Sequence, residues 1–203
     1  MDTRTSRFVL AFIVGSSLST AVMAQLPQNV RIRGTIEKVD GNDLAIKARD
    51  GQSVNVKLSD NVRVLAFVKA SLEDIKPSSY IGVTAMPQPD GSQRAIAIHI
   101  FMESQRGAGE GHRPWDLQPN STMTNAAVEN RVTAVDGQVL TVKYKGGEKK
   151  ILITPQTQIV AYADGNRSEL KPGTPVNFFA QKQPDGSFTA PAINFGRGVV
   201  PPM

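Results

Sequence analysis

Apolar and polar positions alternate over short stretches of the chain, and this alternation predicts strands. Over residues 30–37, apolar residues at every second position alternate with arginine, threonine and glutamate, which is the period of two typical of a half-buried strand. The same period returns over residues 44–48 and 54–58, and Asp50-Gly51 between them is a hairpin signal. The first part of the chain is therefore predicted to form three strands in meander order.

The period changes near the middle of each half of the chain. Ser71 is followed three residues later by Asp74, and Asn166 by Glu169, which is the pattern of a capping box. Each pattern predicts a single helical turn, and the Lys-Pro dipeptide that follows it ends the turn. Alternation then resumes as two further strands joined by a Pro-Asp-Gly turn.

The chain contains this order of elements twice. The sequence Gln-Pro-Asp-Gly-Ser at residues 88–92 recurs at residues 183–187, and flanking motifs recur at the same spacing. Such self-similarity predicts two copies of one structural unit. We therefore expect an all-β fold of two tandem small OB-like five-stranded β-barrels, each with one short helical turn between strands three and four. A meander sandwich or an SH3-like barrel with the same strand count is the alternative.

The turn motifs also carry a resemblance. Both repeats contain a Val-Asp-Gly turn, a glycine hairpin, a Pro-Asp-Gly turn and a final Ala-x-x-Ile. On these motifs the chain resembles tandem copies of the exported bacterial family labelled domain of unknown function 5666. The resemblance implies a small OB-like β-barrel in an exported protein, and it brings no catalytic residues and no agreed activity. The first repeat departs from the pattern at Ser78, where the second has Gly173.

The N-terminal segment has the three parts of a secretory signal peptide. Arg4 and Arg7 precede an apolar stretch at residues 8–15, and a cleavage site ends at Ala24. A membrane anchor is the alternative, but the stretch is short and interrupted by serine and threonine, and no other stretch could span a bilayer. We therefore expect a periplasmic or secreted protein without a transmembrane segment after cleavage near Ala24. The predicted organisation is a signal peptide at 1–24, barrel repeat 1 at 25–103, a connector at 104–127, barrel repeat 2 at 128–197 and a C-terminal tail at 198–203.

Several classes of chemistry lack the residues they require. The chain has no cysteine, which excludes thiol catalysis, CxxC redox chemistry and thiolate metal sites. A hydrolytic triad could draw locally only on His112, Asp116 and Ser121, whose spacing carries no meaning without a fold. The acidic residues otherwise fall in turns, caps or outward strand positions. We therefore predict no enzymatic activity, no catalytic residues and no cofactor.

The connector at 104–127 belongs to neither repeat. Its glycines at 107, 109 and 111 do not have the spacing of a phosphate-binding loop, so we expect a hinge. Arg113, Trp115 and Asp116 follow, and Trp115 is the only tryptophan of the chain. Arginine and aromatic residues are typical anchors of protein interfaces, so these three residues are predicted to bind a partner. Alternatively, Trp115 packs in the groove between the barrels and fixes their orientation.

Histidine and methionine near the connector suggest a metal site as a second hypothesis. His112 with Met123, or with His99, could bind copper, nickel or zinc. His99 is the weaker candidate, because its counterpart in the second repeat is Asn194 and its strand position predicts a solvated or capping side chain.

Charge suggests a third hypothesis. The formal net charge is +5, and the excess lies in repeat 2, mainly at the four lysines Lys143, Lys145, Lys149 and Lys150. A polyanionic envelope component could bind there. Nucleic acid is disfavoured, because repeat 1 has no aromatic residue between Asp43 and Leu58 and an exported protein meets little nucleic acid. The leading expectation is an exported, non-enzymatic binding or adaptor module that recognises an envelope protein or component.

Overall fold

The computed structural model describes residues 28–134 and 137–202, and this part of the chain is all-β. The predicted signal peptide at 1–24 and its cleavage site at Ala24 lie outside the described residues. The described residues contain no helix with the length and hydropathy that a membrane span requires. The strands are β1 (Gln28–Asp40), β2 (Asp43–Ala48), β3 (Ser53–Lys69), β4 (Tyr80–Pro87), β5 (Gln93–Ile100), β6 (Gly111–Pro114), β7 (Thr122–Ala134), β8 (Gly137–Tyr144), β9 (Gly147–Ile153), β10 (Gln158–Asp164), β11 (Pro175–Lys182) and β12 (Phe188–Gly196), with 3₁₀ turns at Leu72–Asp74, Glu103–Gln105 and Arg167–Glu169.

The strands close into two five-stranded rings, and each ring combines strands from both halves of the chain. In the first barrel the order around the ring is β1, β2, β3, β12 and β11, and β11 pairs with β1 to close it. In the second barrel the order is β4, β5, β9, β8 and β7, and β7 pairs with β4. Strand β6 extends the second barrel beside β7, and β10 pairs with both β3 and β5 between the barrels.

The expected five-stranded barrels are therefore confirmed, but the strand pairing differs from the expected tandem order of one barrel per repeat. The length of strand β3 explains why the last hairpin of each repeat joins the barrel of the other repeat. Its pairing with β2 ends at Lys57, yet the strand continues to Lys69 beside β10. That extension carries the chain about 40 Å further at ~3.3 Å per residue, so the next hairpin, β4–β5, joins the second barrel. The β11–β12 hairpin takes the corresponding place in the first barrel.

The two hairpins that change places have the same local structure. In both, the backbone N–H of the glycine donates to the carbonyl of the glutamine three residues earlier, from Gly91 to Gln88 and from Gly186 to Gln183. Both glycines have a positive φ, 83° and 85°. Because the local signals are the same, they do not decide which ring each hairpin joins.

The helical turns form as the capping pattern predicts. The backbone N–H of Ser71 donates to the Asp74 carboxylate at 2.8 Å, and that of Asn166 donates to the Glu169 carboxylate at the same distance. Both are single 3₁₀ turns. The first lies between the third and fourth strands of its repeat, as expected, whereas the second follows an additional strand, β10, and lies between β10 and β11.

Each barrel encloses its own hydrophobic core, and each core draws on both halves of the chain. Ile36 and Leu44 pack with Ile193 in the first barrel, and Ile81 packs with Leu140 in the second. Since the residues that exclude water from each barrel come from both repeats, neither repeat completes a core of its own.

A smaller cluster lies between the barrels, on an approximate twofold axis. Phe67 and Tyr162 are counterparts in the two repeats, 95 positions apart, and they are also direct partners in the antiparallel pair of β3 and β10. Their ring centroids lie 4.4 Å apart. The two copies of the duplicated unit therefore face each other at this point.

The connector is ordered as a β-hairpin. Strand β6 pairs with the first residues of β7, from Gly111 with Asn125 to Pro114 with Thr122. The first strand of the second repeat therefore begins at Thr122, ahead of the boundary expected at residue 128. This hairpin places Trp115 and Asp116 at the seam between the barrels.

Candidate functional site

The outward faces of the two barrels meet at the seam. On the first barrel, Arg31 is the cross-strand partner of Phe179, and Arg33 is the partner of Asn177. Directly opposed residues project from the same face of a sheet. These four side chains therefore form one wall of the seam.

The opposite wall is a row of three residues across the second barrel. Gly82 on β4 pairs with His99 on β5 and with Asn125 on β7. A β-carbon on Gly82 would lie 2.0 Å from Cε1 of His99 and 2.8 Å from Oδ1 of Asn125. Only glycine at position 82 allows the imidazole to lie across this part of the sheet.

We call the cavity between these walls the seam cleft. Its volume is about 240 Å³. Its lining residues are Arg31, His99, Phe101, Ala108, Gly109, Arg113, Trp115, Met123, Asn125, Tyr162, Asn177, Phe178, Phe179 and Asn194.

His99 is buried in the seam cleft, with 3% of its surface exposed. The expectation of a solvated or capping side chain was therefore wrong. The residue does face outward from its barrel, as its strand position predicted, but the first barrel and the connector cover that face. Burial, together with the charge of Arg113, lowers the pKa of His99 from 6.5 to about 3, so the imidazole is neutral.

Three buried polar atoms of the cleft residues have no hydrogen-bond partner among the described residues. They are Nδ1 of His99, Oδ1 of Asn125 and Nε1 of Trp115. The amide nitrogen of Asn125 donates to the carbonyl of Ala108 at 3.0 Å, which fixes the amide with its oxygen unpaired. Buried polar atoms are nearly always paired in folded proteins, and leaving one unpaired costs about 1–3 kcal/mol.

Arg31 is stacked between two aromatic rings at the edge of the cleft. Its guanidinium carbon lies 3.7 Å from the ring centroid of Trp115 and 4.4 Å from that of Phe179. Burial between the rings lowers the pKa of Arg31 from 12.5 to about 10, although the nearby Asp116 opposes the shift. Arg31 nevertheless carries its full charge at neutral pH.

Asp116 joins the connector to the first barrel. Its carboxylate accepts hydrogen bonds from Arg31 at 2.9 Å and from Arg33 at 2.8 Å. Burial raises the pKa of Asp116, but the hydrogen bond from Arg33 and the charges of both arginines outweigh burial, and the pKa lies below its ordinary 3.8. Asp116 therefore partly neutralises the arginines of the first barrel.

Arg113 makes no ion pair with any carboxylate in residues 28–134 and 137–202. Its guanidinium donates to the carbonyl of Gly109 at 2.8 Å and lies 5.4 Å from the ring centroid of Trp115. The lining of the seam cleft includes two arginines and no aspartate or glutamate. The cleft is therefore a positively charged, aromatic site.

The predicted partner-binding residues Arg113, Trp115 and Asp116 all lie at the seam. Trp115 packs against Phe67, Met123 and Val160 between the barrels, which agrees with the alternative interpretation that it fixes their orientation. Sequence reasoning missed the other half of the site. The sequence held one signal for it: His99 and Asn194 occupy equivalent positions in the two repeats, and both line the same cleft.

The predicted metal ligands do not come together. His112 is the cross-strand partner of Thr124, while Met123 is the partner of Arg113, so His112 and Met123 project from opposite faces of the sheet. Nδ1 of His112 lies 2.8 Å from the hydroxyl of Thr124. No group of three metal-binding side chains occurs in the described part of the chain.

The four lysines of the second repeat do not share one surface. Lys149 and Lys150 are consecutive on β9 and so project from opposite faces. Lys143 pairs with the Glu129 carboxylate at 3.2 Å, and its cross-strand partner is Glu148. Lys145 lies in the turn between β8 and β9. The positive charge of this hairpin is therefore divided and partly neutralised.

Comparison with known families gives one match. Residues 130–194 match the family model described as Domain of unknown function (DUF5666). No curated protein and no solved structure matches the chain. The matched segment is less than half of the chain, and it supports one copy of the family.

The matched segment is divided between the two barrels. It runs from within β7 to within β12, so it contributes strands to both rings and lines the seam cleft with Tyr162, Asn177, Phe179 and Asn194. In this protein, the unit of sequence that the family model matches is therefore not the unit that closes a barrel.

Proposed function

We propose that this protein is an exported, non-enzymatic binding protein whose seam cleft holds a small organic anion. The observation that carries the proposal is the set of three unpaired buried polar atoms on His99, Asn125 and Trp115, three residues that line one positively charged cavity. A ligand that pairs with these atoms would remove their desolvation cost and so gain affinity. A core that served packing alone would gain nothing from leaving them unpaired.

The sign of the charge follows from the arginines. Arg31 forms an ion pair with Asp116, whereas Arg113 has no carboxylate partner within the described residues. A partly buried guanidinium favours an anion that can accept two parallel hydrogen bonds, as a carboxylate does. The ligand is therefore proposed to present a carboxylate to Arg113.

The size of the cleft sets the size of the ligand. At about 240 Å³ the cavity is smaller than the ~300–1,000 Å³ of sites for drug-sized ligands. At ~30 Å³ for each molecule of liquid water, the cavity has the volume of about eight waters. This volume fits a small metabolite, and it is too small for a peptide or a polysaccharide segment.

Export and family membership complete the proposal. The leader sequence ending at Ala24 supports export, and the motifs shared by the two halves support a second copy of the family at residues 30–103.

The test measures ligand-dependent stability. Thermal unfolding of the mature protein is followed with small carboxylates and with their uncharged amides. We expect carboxylates to raise Tm in a saturable way, and we expect Arg113→Met to weaken the binding about tenfold or more, as loss of a charge-assisted pair does. Lys150→Met removes one charge far from the cleft and is the matched control. Absence of any shift, or shifts that persist in Arg113→Met, would contradict the proposal.

Docking of an envelope protein at the rim is the second proposal. Phe179 is 52% exposed near Arg113, Trp115 and Asp116, the residues that the sequence predicts to bind a partner. An exposed aromatic residue at a charged rim is typical of an interface anchor. A photo-crosslinking residue at position 179 in intact cells should capture one specific protein. The control carries the same crosslinking residue at position 188, also on the first barrel. If both positions capture the same proteins, docking at the rim is contradicted.

A further inference from the structure

We propose, resting on the function proposed above, that the ligand of the seam cleft is an aromatic carboxylate that carries a hydroxyl or amino group. Three features of the cleft lead to this class: its walls are flat rings, its unpaired charge is a single guanidinium, and its unpaired polar atoms include both a donor and an acceptor.

The walls favour a planar ligand. Phe101 and Tyr162 are stacked with centroids 5.5 Å apart and an angle of 24° between their planes. His99 meets both edge-on, with centroids 4.6 Å and 5.5 Å away. On the other wall, the Arg31 guanidinium carbon lies over the Trp115 ring, 3.7 Å from its centroid. A ring placed among these groups gains stacked and edge-to-face contacts that an aliphatic ring of equal size does not make.

One end of the cleft is suited to a carboxylate. Nη1 of Arg113 is held by the carbonyl of Gly109, which leaves the other donors of the guanidinium for the ligand. Nε1 of Trp115 is an unpaired N–H donor, and the Arg113 guanidinium carbon lies 5.4 Å from the ring centroid of this residue. A carboxylate has two oxygens and several lone pairs, so it can accept from Arg113 and Trp115 together.

The cleft residues also require a donor from the ligand, on the His99 side. Oδ1 of Asn125 is an unpaired acceptor whose orientation is set by the bond from the Asn125 amide to Ala108. A carboxylate alone cannot satisfy it, because a carboxylate only accepts. A hydroxyl or amino group on the ring supplies the missing donor.

His99 meets the ligand as a neutral ring. The pKa of His99 is lowered to about 3 by burial and by Arg113, so His99 does not titrate between pH 5.5 and 8. An aromatic carboxylate is also ionised over this range. The affinity is therefore expected to be flat between these pH values.

The experiment uses ligands matched in size. Isothermal titration of the full mature protein compares benzoate with cyclohexanecarboxylate, benzamide and the three hydroxybenzoates. Trp115 is the only tryptophan, so its fluorescence reports occupancy of the cleft independently. We expect benzoate to bind about three- to tenfold more tightly than cyclohexanecarboxylate. At least one hydroxybenzoate should gain a further factor of about five over benzoate.

Two conservative variants test the assigned contacts. Trp115→Phe keeps an aromatic ring and removes the N–H, so it should weaken all carboxylates about fivefold while the preference for the hydroxybenzoate remains. Asn125→Leu removes the acceptor and should abolish that preference. Thermal unfolding of each variant without ligand checks that it is folded.

The outcomes separate this inference from the proposed function. Equal binding of benzoate and cyclohexanecarboxylate, both weakened by Arg113→Met, would overturn the aromatic class and leave an anion-binding protein. Equal binding of benzoate and benzamide would overturn the role of charge. Absence of binding by every carboxylate tested would overturn both proposals. A strong rise in affinity as the pH falls from 8 to 5.5 would indicate a histidine that gains positive charge beside the bound anion, and it would contradict the neutral His99.

Discussion

Cleavage of the connector distinguishes exchanged barrels from tandem barrels. A protease site inserted between Gly107 and Ala108 lies in a turn where Gly107 has a φ of 84° and where an added β-carbon would have no neighbour within 4 Å. Cutting there separates β1–β5 from β6–β12. Each described barrel needs strands from both pieces, through the pairings of β1 with β11, β3 with β12, β4 with β7 and β5 with β9.

The strength of the association follows from the stability of the intact chain. Folded domains typically have a free energy of unfolding of about 5–15 kcal/mol. A short connector supplies an effective concentration of about 1 mM, which is lost when it is cut. The two pieces are therefore expected to bind each other with a dissociation constant of about 10⁻⁷ M or below.

The assay is size-exclusion chromatography after cleavage. At about 10 μM protein the cut sample should elute with the uncut protein, while a denaturing gel shows two fragments. In guanidinium the fragments should separate, and they should reassemble when it is removed. Two separate peaks, each with the circular dichroism of a folded β protein, would show that each repeat closes its own barrel and would refute the exchange.

Three further predictions concern stability. Gly82→Ala should cost about 1–3 kcal/mol by overpacking against His99, lowering Tm by about 2–4 °C per kcal/mol, and most of that cost should vanish in the His99→Ala background. Ser78 has a φ of 68°, so Ser78→Gly should raise the free energy of unfolding by up to about 1 kcal/mol, whereas Ser79→Gly, which removes a hydroxyl that accepts from the Lys76 N–H, should lower it. The folded-state pKa of Asp116 lies below its ordinary 3.8, so the stability that the ionised carboxylate contributes is complete above pH 3.8 and is lost as the pH falls through the folded-state pKa. Asp116→Asn should therefore reduce the loss of stability below about pH 4, measured by acid unfolding followed by fluorescence. Equal acid sensitivity of the two proteins would contradict this prediction.

Local elements were predictable because their causes are local. The period of two located most of the strands, although not β6 or β10, and the capping boxes at Ser71 and Asn166 form as expected. The Pro-Asp-Gly turns also form with glycine at positive φ. In each case, residues a few positions apart contain all of the interactions that stabilise the element.

The candidate site was predictable only in part. Arg113, Trp115 and Asp116 stood out because no repeat counterpart explained them, and all three lie at the seam. His99 was set aside because its counterpart is Asn194, on the assumption that counterparts occupy equivalent but separate places. Around a twofold axis, counterparts instead meet, and both residues line one cleft.

The sequence by itself determined the strands, the turns between them, the duplication and the absence of cysteine chemistry, because each depends on neighbouring residues or on composition. The tertiary structure alone decided which hairpin joins which barrel, since the β4–β5 and β11–β12 hairpins are interchangeable in their local signals. The length of β3 beyond Lys57 settles that choice, and the seam cleft follows from it. Arg31 and His99 are 68 positions apart and become neighbours of one cavity only because the exchange brings the outward faces of the two barrels together.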